Sequence, residues 1–281
     1  LIPNHNYAAK NETDFVWDSS VGWAKTIGTS QLAHKHNSWM WQRRGKLLDV
    51  ISWKGDGVSN ATNAKLLPHG LNAVPEMVWL KSRSERKSIS ISTGDWIVWH
   101  KDLEASSASQ QGSSSHDFHL KINGTGATEE GCYVASSTSS TQLALLNGGI
   151  TSPLKFNVNG DKYIAILFNT VEGVAKCGAY SGSNNTLTLS FDFHPKFIMI
   201  KRQSGSGDWC IFDSLRGFST GNDPLLKLNT WVEQTSTSGN NAVDYGGFGA
   251  NINYNTKVVY LNGNITQTNK EGEKYIYYAI G

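Results

Sequence analysis

The sequence predicts an all-β protein: two tandem homologous antiparallel β-sandwich (jelly-roll-like) units, preceded by an N-terminal arm. Three observations carry that prediction. Apolar residues come in short runs, several alternating with polar ones, as half-buried strands require. Glycine, at 28 of 281 residues, joins Ser, Thr and Asn in the gaps between runs while proline is scarce at 6, which is the texture of an antiparallel protein with many turns. A set of motifs also occurs twice in the same order.

The strands are legible one by one. Met77-Val78-Trp79-Leu80-Lys81, Asp95-Trp96-Ile97-Val98-Trp99-His100 and Lys162-Tyr163-Ile164-Ala165-Ile166-Leu167-Phe168 read as strands of a first unit. Lys196-Phe197-Ile198-Met199-Ile200-Lys201, Lys257-Val258-Val259-Tyr260-Leu261 and Lys274-Tyr275-Ile276-Tyr277-Tyr278-Ala279-Ile280 read as strands of a second. β-Branched and aromatic side chains suit a pleated surface, and several runs open with a Lys or Asp expected to stay in water. No long segment keeps a three-to-four apolar spacing with caps at both ends. The best helical fragments are 142–146 and 213–216, so helix content is expected to be small.

The repeat defines the organisation. The run from Leu71 through Pro75 to Arg83 aligns with the run from Phe191 through Pro195 to Gln203. Val50-Ile51-Ser52-Trp53-Lys54-Gly55 aligns with Cys177-Gly178-Ala179-Tyr180-Ser181-Gly182, and Gly94-Asp95-Trp96 with Gly207-Asp208-Trp209. Leu120-Lys121-Ile122-Asn123 aligns with Leu226-Lys227-Leu228-Asn229, and Gly160-Asp161-Lys162-Tyr163-Ile164 with Gly272-Glu273-Lys274-Tyr275-Ile276. The spacing between copies drifts because insertions fall in loops, where added length costs little. The units span 47–172 and 173–281, meeting at Thr170-Val171-Glu172-Gly173. Residues 1–46 form the arm or the end of a preceding unit, with Trp17, Trp23, Trp39 and Trp41 expected to pack on the first repeat or on a neighbouring subunit.

Composition narrows the function. Ten each of Trp, Tyr and Phe supply ample core material, and with charged residues at 17% and a net charge of +2 there is no field to gather nucleic acid or an anionic membrane. No apolar run is long enough to span a bilayer, and Leu1-Ile2-Pro3-Asn4-His5 lacks the pattern of a signal peptide. The chain therefore reads as soluble, and its opening Leu reads as a processed end or part of something longer. Cys132, Cys177 and Cys210 stand far apart with no CxxC pair, which suggests neither a zinc site nor a disulfide framework and fits a reduced, intracellular origin. Five Asn-x-Ser/Thr matches, at Asn11, Asn60, Asn123, Asn184 and Asn264, read as chance in a chain rich in these residues.

Trp96 and Val98 alternate with Ile97 and Trp99, as Trp209 and Ile211 do with Cys210 and Phe212. Apolar residues on both faces favour a strand buried on both sides over a sugar-stacking platform. A glycosidase needs two facing carboxylates, but Asp95, Asp102, Asp208 and Asp213 stand at strand ends, where Asp is an ordinary turn-former. His34 and His36, with His5 nearby in sequence, read as a solvated loop in preference to a metal site. Arg43-Arg44 is a weak phosphate contact without a basic run around it. Nucleophile elbow, phosphate loop and dinucleotide fingerprint are missing, and Gly246-Gly247-Phe248-Gly249 reads as a turn. No catalytic residue, metal ligand or cofactor is predicted, and no ligand-binding residue is singled out.

The ordered motifs from Leu48 to Ala165, and more closely Phe197-Ile198-Met199-Ile200-Lys201-Arg202, Gly207-Asp208-Trp209, Asp213-Ser214-Leu215-Arg216-Gly217, Gly221-Asn222-Asp223-Pro224 and the terminal Tyr275-Ile276-Tyr277-Tyr278-Ala279-Ile280, resemble repeats of uncharacterised virion proteins of tailed bacteriophages. The resemblance covers about residues 40–281, with Trp231 and 251–255 expected in variable loops. It implies a non-enzymatic tail-fibre, spike or adhesin protein on the virion, made in the host cytoplasm and contacting host-surface glycan or neighbouring virion subunits. Self-association is expected separately, because the sheet edges each unit leaves can be covered by the next protomer; three copies are usual in fibres, but the sequence does not fix the number. A capsid-decorating (cement) protein is the alternative, and a glycan hydrolase a third reading.

Overall fold

The computed structural model describes residues 15–16, 24–25, 39–58, 60–84, 94–110, 114–131, 133–147, 156–216, 224–230, 250–253 and 257–281. Asn11, Cys132, Trp17, Trp23, Trp231, the His5 and His34-Lys35-His36 positions and Gly246-Gly247-Phe248-Gly249 lie outside these residues.

In chain order the strands are β1 (Phe15–Val16), β2 (Ala24–Lys25), β3 (Leu48–Lys54), β4 (Asn60–Pro68), β5 (Met77–Ser82), β6 (Ile97–His100), β7 (Phe118–Lys121), β8 (Glu129–Glu130) and β9 (Gln142–Asn147). There follow β10 (Lys162–Phe168), β11 (Ala175–Ser181), β12 (Leu187–Ser190), β13 (Phe197–Arg202), β14 (Trp209–Asp213), β15 (Leu226–Lys227), β16 (Ala250–Asn253), β17 (Val258–Leu261) and β18 (Lys274–Ile280). Every pairing between them is antiparallel. The described residues hold no α-helix, only a 3-10 turn at Ser115–Asp117 capped by Ser114.

The two repeats have one topology. The first builds a large sheet in the order β3-β10-β5-β6-β7-β8 and the second builds β11-β18-β13-β14-β15, so the five motif-bearing strands correspond one to one. Each repeat adds a smaller sheet, β4-β9 in the first and β12-β17-β16 in the second. The all-β tandem sandwich expected from sequence is the fold observed.

Details of the turns repeat as well. Gly55 N–H donates to the Asp161 carbonyl and Gly182 N–H to the Glu273 carbonyl, both at 2.8 Å. A Cβ at either glycine would lie about 2 Å from a carbonyl oxygen, Val158 in one case and Lys270 in the other, so only glycine fits. Trp53 stacks on Tyr163 with centroids 5.4 Å apart, and Tyr180 stacks on Tyr275 at 5.0 Å.

Burial explains why both faces of the central strands are apolar. All six residues of β5 and all four of β6 are buried, as are all five of β14. One face of the second sheet, with Ile198, Ile200, Phe212, Tyr275 and Tyr277, packs with Val259 and Leu261 of the small sheet. The other face, with Phe197, Met199, Trp209, Ile211 and Tyr278, belongs to the core of the first repeat. The two large sheets therefore pack on each other, with the small sheet of the second repeat on the far side of its own large sheet.

Three local expectations are corrected. The 142–146 fragment is strand, not helix: Leu143 and Leu145 are buried and the segment pairs with β4, so tertiary pairing overrides its leucine-rich helical propensity. The 213–216 fragment is a turn, closed by Leu215 and Arg216 N–H groups donating to Asp213 Oδ1 at 3.1 and 3.0 Å. Within 251–255, residues 251–253 are strand, because Ile252 pairs with Val259 in β17.

Candidate functional site: the seam between the repeats

Strand alternation places Met77, Trp79, Lys81, Val98 and Phe168 on one face of the first large sheet, and the repeat-equivalent residues form the facing surface of the second. Like faces like, as across the isologous interface of a twofold dimer. Phe168 meets Tyr278 with centroids 5.1 Å apart, and Trp209 Nε1 donates to the Lys121 carbonyl at 2.8 Å.

A polar rim closes one end of this seam. Thr128 donates through both N–H and Oγ1 to the Gln203 carbonyl, at 2.9 and 2.8 Å. The Gln203 side chain in turn bridges the Asp102 carbonyl and the Glu104 N–H. Lys201, fully buried, donates to the carbonyls of Thr125, Gly126 and Arg202 at 3.3, 2.9 and 2.6 Å. Burial pulls its ammonium down to about 8, and that of the equivalent Lys81 likewise to about 8.

The arm contributes at the same place. Trp41 lies edge-on to Phe168, Phe197 and Tyr278 at 5.9, 5.2 and 6.1 Å. Trp39 Nε1 donates to Asp213 Oδ2 at 2.9 Å, and the Arg216 guanidinium sits 5.8 Å from the Trp39 ring centroid. Sequence expectation puts these rings on the first repeat or on another subunit; instead Trp41 touches both repeats and Trp39 the second.

The candidate acids are divided, not converged. Asn123 Nδ2 donates to Asp95 Oδ1 at 2.8 Å and Asn229 Nδ2 to Asp208 Oδ1 at 2.8 Å. Each asparagine uses its carbonyl oxygen to accept the next tryptophan's N–H, Trp96 and Trp209 respectively, again at 2.8 Å. Lys121 and Lys227 complete the corners at 3.9 and 2.8 Å from the carboxylates. Asp95 is thus buried, where the sequence places it in water, because Asn123 and Lys121 replace its hydration. Asp213 forms a buried ion pair with Arg216 at 2.6 Å, and Asp102 pairs with Lys101 at 2.9 Å. Arg43 pairs with buried Asp49, whose carboxylate those hydrogen bonds hold below its ordinary range against the effect of burial; no phosphate contact is needed to explain it.

Trp96, Trp99 and Trp209 are all buried, so these rings fill interiors. Cys177 and Cys210 are free and buried, and desolvation raises both thiols, Cys210 to about 12. Among the described residues no cluster of three His, Cys, Asp or Glu side chains is arranged to hold a metal ion, and no helix is long and apolar enough to cross a membrane.

His100 is the residue the sequence reading passes over. It closes the Asp-Trp-Ile-Val-Trp-His motif, and its signal is a mismatch: the equivalent position in the second repeat is Asp213. Both side chains accept the N–H two residues on, Asp102 N–H to His100 Nδ1 and Leu215 N–H to Asp213 Oδ1, each at 3.1 Å. Asp213 has Arg216 as counter-ion; at the place of Arg216 the first repeat has the apolar Leu103. His100 is fully buried, and desolvation lowers its imidazole to about 4.

No curated protein and no solved structure matches the chain. A family model described as a domain of unknown function, DUF7483, matches residues 4–281, and the chain belongs to that family.

Proposed function

We propose that the chain is a non-enzymatic structural protein of a bacteriophage virion, a tail-fibre, spike or adhesin component that contacts host-surface glycan or neighbouring virion subunits. The observation that carries this reading is the use of matched residues. In both repeats the Asp of the Gly-Asp-Trp motif and the Asn of the Leu-Lys-x-Asn motif hold one another and a strand end, while the tryptophan fills the interior. Residues kept in both copies thus serve a rigid body. The likeness of the motifs to phage virion repeats supplies the setting.

A stacked β body of largely non-local contacts suits a particle that persists outside a cell without chaperones, because such topologies cross a high folding barrier and persistence is governed by barrier height. Polar Ser, Thr and Asn loops offer adaptable hydrogen bonding to glycans or subunits. Self-association is part of the proposal, with three copies the arrangement a fibre would use.

The test is immunogold labelling of intact particles of a phage that encodes the chain, with the purified protein applied in parallel to an array of host glycans. Label on the tail and retention of glycan support the proposal. Label over the capsid shell with no glycan retention at millimolar ligand moves the role to capsid decoration, and release of reducing sugar from host polysaccharide would overturn the non-enzymatic reading.

A further inference from the structure

We propose that His100 is a proton-operated latch of the seam: its protonation in mild acid parts the two large sheets and exposes the apolar faces between them. The geometry at Nδ1 carries the argument. That nitrogen accepts the Asp102 N–H at 3.1 Å, so it holds a lone pair and the ring is neutral with its proton on Nε2. A second proton must go to Nδ1, where it would face the Asp102 N–H donor head-on. Protonation therefore breaks the turn that ends β6.

Burial outweighs what the surroundings offer the resulting cation. His100 has zero exposure, and desolvation disfavours its charged form more than the nearby Asp102 carboxylate and Tyr277 carbonyl favour it. Asp102, at the end of its own strand, lies 3.9 Å from Nδ1 but is already paired with Lys101. From the other packed elements, the Glu76 carboxylate before β5 accepts from the Thr170 hydroxyl, while Cys177 on β11 is a neutral thiol. Tyr278 on β18 presents a neutral phenol. To regain the hydration that burial denies it, the protonated ring must leave the seam.

The seam is also poised to open. Besides His100 Nε2, the Trp79 indole nitrogen and the Tyr278 hydroxyl on its two faces are buried without partners, and each gains a hydrogen bond when water enters. The second repeat has no such device, since Asp213 at the matching position carries Arg216 and Trp39 with it.

The sign is fixed by linkage. A histidine held near 4 when buried and returning to 6.5 when released favours the open form as pH falls below 6.5, by roughly 70-fold between pH 7.5 and 4.5. The experiment follows hydrogen exchange of the Trp209 indole N–H, which bridges the seam, in the full chain at both pH values, corrected for intrinsic exchange. The variant His100→Asn keeps an acceptor at the Nδ1 position and does not titrate. The latch predicts a large loss of protection in the unsubstituted protein and a several-fold smaller one in His100→Asn. Equal losses in the two proteins overturn it. Should His100→Asn fail to fold, an NMR titration of His100 decides: a midpoint well below 6.5 that coincides with the loss of Trp209 protection supports the latch, and titration with the seam intact contradicts it.

Discussion

Asn229 Nδ2 donates to Asp208 Oδ1 at 2.8 Å, and Asn123 Nδ2 makes the same bond to Asp95 Oδ1 in the other repeat. Two motifs that lie apart in sequence, Gly-Asp-Trp and Leu-Lys-x-Asn, are thereby one structural unit. The asparagine ties the first residues of one strand to the end of the next through its two amide atoms. An aspartate in its place could not donate, and a leucine could neither donate nor accept.

Asn229→Ala is therefore expected to destabilise the protein by about 2 kcal/mol, since it strips the Trp209 N–H and the Asp208 carboxylate of a buried partner. Asn123→Ala should cost less, because its bonds are only partly buried. Urea denaturation of the two variants measures both, and the reverse order would contradict the assignment.

Gly178 and Tyr277 form a second pair. They face each other in register on β11 and β18, and a Cβ on Gly178 would lie 2.6 Å from the Tyr277 ring. The equivalent pair in the first repeat is Ile51 and Ala165, in register on β3 and β10, with large and small exchanged. Gly178→Ala alone should cost about 1–3 kcal/mol through overpacking. Combined with Tyr277→Ala, the loss should be clearly smaller than the sum of the two single losses, and simple additivity in a double-mutant cycle would refute the complementarity.

At the entry to each repeat the chain turns through a left-handed residue, Lys46 at φ 68° and Gly173 at φ 73°. A Cβ at Gly173 would touch nothing within 4 Å, so its substitution isolates the backbone term. Gly173→Ala should lower stability by about 1 kcal/mol, while Lys46→Gly should not lower it. Thermal melts of the pair check this.

The buried lysines predict an alkaline effect. With Lys81 and Lys201 held at about 8 in the folded chain and near 10.5 when unfolded, the unfolded state binds more protons between these values, so stability rises with pH across that window. From pH 8 to 9.5 the gain is on the order of 1 kcal/mol per lysine. Lys201→Met should flatten the rise in urea midpoint; an unchanged slope would show that this ammonium is not the source.

Much of this was legible in the residues. The repeat, the strands and the two-faced burial of β6 and β14 followed from ordered motifs and alternation, because a strand between two layers must be apolar on both sides. Two features escaped. Lys81 and Lys201 look like strand-end charges bound for water, and only the loop that brings Thr125 and Gly126 over Lys201 reveals otherwise. His100 looks like the tail of a motif until the seam places it opposite the second repeat. Both depend on how the sheets face each other, which neither periodicity nor spacing within a strand encodes. The strand at 142–147 misled for a related reason, since pairing with β4 decides what Leu and Ala leave open.

The claim on which the rest stands is that one β module, copied, packs on its copy through equivalent faces. The most direct measurement is a nuclear Overhauser spectrum of the full chain with Phe and Tyr rings selectively labelled. The account predicts cross-peaks between the Phe168 and Tyr278 rings, whose centroids lie 5.1 Å apart across the seam. A spectrum in which each ring shows cross-peaks only within its own repeat would contradict it.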